Sequence, residues 1–203
     1  VEKDETIKEE KTTSTSKIVQ WVFIAIGLGV GIALLNKALV FEGIHYFLSI
    51  VGLILAVLIV GHSLGIESSS TASICNLSEK TSCDAVLNSK GAKLGGVLTL
   101  SDASIIAFAS YALVYCLTLL SGIDISGIVT GLSLLALPFV LYSIYYQGGV
   151  LKKWCPLCLG IAGVIILQSV AVFITGNTTA FLSISIEEIG LYVLSIVLIT
   201  SIW

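Results

Sequence analysis

The chain has 203 residues, 56% of them hydrophobic and 11% charged, with a mean hydropathy of +1.05. A soluble domain is about 25% charged, so this composition excludes an ordinary water-soluble fold and points to an all-α integral membrane protein. The net charge of −3 leaves no basic footprint for nucleic acid.

Residues 1–17 (VEKDETIKEEKTTSTSK) are charged, then Ser/Thr-rich. The mixed signs exclude a secretory n-region, and the segment reads as a polar tail or linker, with docking of an upstream domain as the sharper alternative. The chain contains no Met, not even at position 1, and it stops at Trp203 inside an apolar run. Both features read as an excerpt, or a processed form, of a longer chain.

About 20 apolar helical residues cross a bilayer, and uncharged runs of that order recur. The first is Ile18 to Asn36, which with its turn makes 18–43 an extra N-terminal transmembrane helix. The second, roughly Ile44 to Leu64, lies between Glu42 and Glu67 and forms an antiparallel hairpin with the first. Residues 65–101 are the one long polar loop. Ala103 to Ile123 and Ile125 to Gln147 are the third and fourth spans, the latter with Pro138 as a kink point. Leu157 to Thr175 is the fifth. After GNTT (176–179), Ile189 to Trp203 reads as a sixth span cut short, so 177–203 is the start of a further transmembrane helix. No sequence repeat and no strand pattern competes with helix.

Alternating the spans puts the loop 65–101 and the segment Gln147–Cys158 on one side of the membrane. Cys75 and Cys83 therefore share a face with Cys155 and Cys158. Cys116 does not: it is fourteen residues into its span, ~20 Å deep at 1.5 Å per residue, and reads as a small packing residue.

In Trp154-Cys155-Pro156-Leu157-Cys158, Pro suits the first helical position. Cys155 is then the helix cap and Cys158 lies in the first turn, where unpaired N–H groups and the helix dipole favour a thiolate. A CxxC alone also fits half of a zinc site or an inert structural pair. With Cys75 and Cys83 eight apart in the polar loop, the choices are a dithiol relay by thiolate–disulfide exchange, a zinc site of all four thiolates, two static braces, or unrelated free thiols.

The pattern Cys75…Ser82-Cys83-Asp84-Ala85-Val86…Ser89, an apolar span, then Trp154-Cys155-Pro156-Leu157-Cys158-Leu159 resembles the vitamin K epoxide reductase family, over roughly residues 44–176. It looks most like the bacterial members, which oxidise thioredoxin-like partners and reduce membrane quinones. The resemblance implies a four-helix catalytic domain over 44–176, carrying the cysteine loop 65–101. It implies that Cys75 exchanges with an external dithiol, that Cys83 passes electrons to Cys155, and that Cys158 faces the quinone. Ser89 matches the family serine near the quinone ring. Members that recycle vitamin K carry an aromatic residue one turn beyond the CxxC. Here that stretch is Leu159-Gly160-Ile161-Ala162, which argues for an ordinary quinone of the ubiquinone or menaquinone type. The implied partner is a thioredoxin-like protein, separate or fused beyond a sixth span.

The polar residues near the spans have plainer readings. Asp102 is a helix-start cap. His62 is an interfacial residue at the end of its span, Trp21 and Trp154 fit interface belts, and Lys152 and Lys153 read as solvated anchors, with a lowered Cys155 pKa as the sharper alternative. No buried acid is evident in the core. Lys80, Lys90, Lys93, Lys152, Lys153 and the tail lysines all fall on the cysteine side, with Lys37 opposite. The positive-inside rule then points the cysteines to the cytoplasm, whereas the resemblance implies the periplasmic or extracellular face of the inner or plasma membrane, the oxidising side. The rival from another class is a non-catalytic membrane module, an anchor or transporter subunit with structural disulfides. Its spans would then be expected to carry buried charge, which these lack. A haem carrier is weaker still, with two His at opposite ends of one span.

Overall fold

The computed structural model describes residues 27, 40–65, 73–75, 78–94, 98–175 and 177–202. The tail and nearly all of the expected first span lie outside these residues. Among the described residues, four helices are long and apolar enough to cross a membrane: α1 (Val40–Ser63), α3 (Leu100–Ser121), α4 (Ser126–Tyr145, continued as a π-helix over Tyr146–Leu151) and α5 (Pro156–Ile174). These are the second to fifth spans expected from the sequence. Between α1 and α3 lie the short α2 (Cys83–Leu87), a 3-10 turn (Lys90–Ala92) and a minimal antiparallel hairpin, β1 (Lys93–Leu94) with β2 (Leu98–Thr99). A 3-10 segment (Asn177–Ser183) then leads to α6 (Ile186–Ile202), which starts three residues earlier than the sequence suggested.

Local chemistry accounts for the boundaries. Thr99 is the cap of α3 and Asp102 reciprocates from the third position, a full capping box rather than the single Asp cap read from sequence. Gly122 closes α3 at φ 70°, a backbone region that costs glycine nothing. Helix α4 begins at Ile125, which has no side-chain acceptor. Glu188 of α6 supplies one: its Oε2 accepts from the Ile128 N–H at 3.0 Å and its Oε1 from the Ser185 N–H at 2.9 Å. This buried carboxylate corrects the expectation of a core without an acid. It bridges two helix starts, where the dipoles favour negative charge.

The helices pack in the order α3–α1–α5–α4, and α6 lies against α3. Gly52 of α1 lets the Phe108 ring of α3 come so close that a Cβ there would be 2.4 Å from it. Consecutive helices α3 and α4 scarcely approach each other, which leaves a gap in the bundle. Two apolar clusters fill the interior. One, around Tyr46, Tyr115 and Val172, lies at the end remote from the cysteines. The other contains Cys75, Cys83 and Cys155, with Cys158 packed against it.

Candidate functional site

The four loop and helix-start cysteines converge on that second cluster, each from a different turn of chain. Cys155 caps α5 with its own sulfur, which accepts from the Cys158 N–H at 3.3 Å, and Pro156 is the first helical residue. This is the cap read from the sequence, and it puts both sulfurs at the positive end of the helix dipole. Cys83 opens α2, where Ser82 accepts from the Ala85 N–H. Residues 73–75, which include Cys75, are helical. Cys75 and Cys83 form a disulfide with a Cα–Cα distance of 5.2 Å, while Cys155 and Cys158 are free. One closed pair thus lies beside one open dithiol. Cys116 is also free and half-buried in α3, away from this cluster.

The loop is tied to the head of α5 by an isolated parallel bridge. The Ser82 N–H donates to the Trp154 carbonyl and the Trp154 N–H to the Lys80 carbonyl, both at 2.9 Å. Cys155 follows the bridged Trp154, and Cys83 follows Ser82, whose N–H makes one of the two bonds, so the pair of backbone bonds holds these two cysteines in step. Lys153 adds a third tie, its ammonium donating to the Glu79 carbonyl. Trp154 is half-buried against Gly148, and its backbone holds the loop. Cys75 is 1% exposed.

Gln147 is the residue that sequence reading treated only as a span boundary. It sits where α4 widens into the π-helix, a distortion that re-aims side chains. Its Oε1 accepts from the buried Cys155 N–H at 2.8 Å and its Nε2 donates to Ser143 Oγ at 3.1 Å. Its backbone carbonyl accepts from the N–H groups of Lys152 and Lys153. Lys152, at φ 54°, then turns the chain towards the CxxC. The only advance signal was a polar residue at the end of an apolar run, eight positions before Cys155.

His62 is likewise not the interfacial residue expected. It is buried in the last turn of α1, with Nε2 3.2 Å from Asp84 Oδ1. A ring nitrogen of His62 and the sulfurs of Cys75 and Cys83 all lie within 4.8 Å of one another. Metal binding by cysteine requires thiolates, which a closed disulfide does not offer.

The Cys155 thiol is held below the ordinary cysteine range, first by a hydrogen bond from the Cys158 thiol. Burial opposes this, and the N–H groups of Cys158 and Leu157 and the His62 charge add to it. Lys152 and Lys153 are not among these causes. In the reduced protein the Cys155 Cβ chemical shift, followed against pH, is expected to titrate below the usual thiol value of about 8.5, and Cys158→Ala to move the midpoint upward. An ordinary midpoint unaffected by Cys158→Ala would remove this account. By linkage, the lowered value stabilises the reduced fold fully above the unfolded thiol's pKa, and that contribution fades as pH falls through the folded one.

On the far side of Cys158 is a cavity of about 510 Å³, formed in the gap between α3 and α4. Its wall includes Cys158, Ile161 and Ala162 of α5, Ser89, and Tyr142 and Tyr146 of α4 and its π extension. Ser89 Oγ donates to the Val86 carbonyl at 2.7 Å. The Tyr146 hydroxyl accepts from the Gly91 N–H at 3.2 Å, and a Cβ on residue 91 would be 2.5 Å from the Tyr146 ring. Only glycine permits that approach.

A family model, described as the vitamin K epoxide reductase family, matches residues 44–173. The chain belongs to the vitamin K epoxide reductase family. The match begins in α1, ends in α5 and contains all four clustered cysteines. Membership makes the chain a membrane thiol–disulfide oxidoreductase. Neither the curated proteins nor the solved structures searched contained a match. The family's chemistry and this bundle agree in kind: a dithiol with a stabilised thiolate, within one apolar cluster with a disulfide, is what thiol–disulfide exchange requires.

Proposed function

We propose that this protein oxidises a thioredoxin-like dithiol protein, separate or fused, and passes the electrons to a membrane quinone of the ubiquinone or menaquinone type, supporting disulfide formation. Cys75 takes the electrons from the partner, Cys83 hands them to Cys155, and Cys158 reduces the quinone beside Ser89. The observation that carries this reading is the position of Cys158. It packs against the cluster of the other three cysteines on one side and lines the 510 Å³ cavity on the other. That volume is in the range of small-molecule sites. A structural brace has no use for an open dithiol at such a wall.

The balance closes. A quinone takes two electrons and two protons; the Cys155–Cys158 dithiol supplies both electrons as it closes to a disulfide, and its two thiol protons match the quinol's need. The loop dithiol, once reduced by the partner, then reopens the Cys155–Cys158 disulfide. The stretch 159–162 has no aromatic side chain, but Tyr142 and Tyr146, stacked at 5.7 Å between centroids, bring aromatic surface to the cavity from another helix. Stacking against a quinone ring is the contact they offer. The catalytic domain is assigned to 44–176, with its cysteines on the periplasmic or extracellular face, where oxidation is useful.

The test is quinone reduction by the purified protein in detergent, with a reduced thioredoxin-like protein as donor. One quinol per donor dithiol is expected. Absence of turnover across ubiquinone and menaquinone analogues and several donors, with the protein folded, would return the chain to the structural-disulfide module.

A further inference from the structure

We propose that His62, paired with Asp84, is the proton donor and acceptor for the Cys75–Cys83 disulfide, protonating the sulfur that leaves when an external dithiol attacks. The proposal rests on the loop pair being the entry point for electrons and adds a residue that acts on it. Three observations place His62 in that role. A ring nitrogen lies within 4.8 Å of both sulfurs in a buried cluster. Nε2 is 3.2 Å from the Asp84 carboxylate, which is 70% exposed and connects the imidazole to water. His62 is itself buried, in the last turn of α1.

Thiol–disulfide exchange is faster when the departing sulfur is stabilised as it takes the electron pair, and a cation within about 4–6 Å stabilises a thiolate. A substrate thiolate attacks Cys75 Sγ. The bond from substrate sulfur to Cys75 forms, the Cys75–Cys83 bond breaks, and the electron pair leaves on Cys83 Sγ, which takes the proton from His62. The second substrate thiol gives its proton to the neutral imidazole and displaces Cys75, closing the substrate disulfide. The substrate has lost two electrons, the loop pair has gained them, and His62 is restored. The same imidazole, when neutral, takes the proton from Cys83 as that thiol turns to attack a Cys155–Cys158 disulfide. His62 also helps to hold Cys155 as thiolate, so one group serves both pairs.

Among the described residues, Asp84 of α2 pairs with His62 and Cys155 at the head of α5 feels its charge. Asp102 at the start of α3 is engaged in its capping box with Thr99. The Lys153 ammonium is on the Glu79 carbonyl. Imidazole is the side chain that ordinarily changes charge between pH 5 and 8, so the dependence is read in that window.

The test uses the full chain with Cys155 and Cys158 both replaced by Ser, which isolates the loop disulfide from the quinone. Its reduction by dithiothreitol is followed from pH 5.5 to 8.5, and each rate is divided by the dithiothreitol thiolate concentration. This normalised rate is expected to rise about tenfold towards acid pH with His62 present and to be flat and low in His62→Gln. Asp84→Asn, at an exposed position, is expected to diminish the rise by removing the partner that holds the imidazole, and it keeps the test open if His62→Gln does not fold. If the normalised profiles of parent and His62→Gln, or of parent and Asp84→Asn, superimpose, the role of His62 is overturned and the relay stands. A folded parent whose loop disulfide dithiothreitol does not reduce at any pH would overturn both.

Discussion

Cys158→Ala is expected to abolish quinone reduction, a loss of at least about 10⁴-fold if covalent exchange is the only route for electrons, while the protein stays folded. Cys158 is half-buried at the cavity wall, so an alanine removes one sulfur and little packing. The more informative consequence is where the electrons stop. Without Cys158 there is no sulfur to resolve an attack by Cys155, and the backbone bridge holds Cys83 in step with Cys155. A Cys83–Cys155 disulfide with Cys75 free should therefore accumulate, detectable by mass spectrometry of the unreduced protein. If Cys158→Ala turned over quinone, or gave no Cys83–Cys155 product, the order of the relay would be wrong.

Gln147→Leu is expected to cost about 10²-fold in turnover with a smaller loss of stability. The Cys155 N–H is buried and its acceptor is Gln147 Oε1 at 2.8 Å. Removing that acceptor leaves a buried donor unpaired, a penalty of about 1–3 kcal/mol. The chain can relieve it only by moving Cys155 away from its cap. A displacement of about 1 Å at a reacting group is worth on the order of 10² in rate. Gln147→Glu keeps the acceptor and should recover most of the activity. Equal losses in both variants would mean that Gln147 serves the cavity, which it also lines, rather than the position of Cys155. Quinone turnover, with thermal unfolding measured alongside, separates the two losses.

Much of the bundle was already legible along the chain, because membrane helices announce themselves locally. Each span is a run of apolar residues as long as the bilayer is thick, and alternation of spans put the two cysteine pairs on one face before any packing was known. The head of α5 was legible for the same reason: a cap and a first-position proline are decided by neighbours three residues apart. Asp102 was read one step short, since the sequence marks an acid at the helix start while the capping box also needs the Thr99 hydroxyl.

What stayed hidden depends on contacts between residues far apart in sequence. His62 is 22 residues from Asp84 and reads as the end of an apolar run. It becomes part of a redox cluster only when α1 and the loop helix α2 fold against each other. Gln147 reaches Cys155 because the helix widens into a π-turn, and nothing in Tyr146–Leu151 signals that widening. Glu188 finds the start of α4 sixty residues away. The aromatic surface of the cavity comes from Tyr142 and Tyr146, not from the turn after the CxxC, because the gap lies between α3 and α4. Composition and periodicity report whether each residue prefers lipid, water or a helix end, which is a property of short stretches. Which thiol pair is closed, which side chain stands beside it and where a cavity opens are properties of packing, set by the order in which the four helices touch.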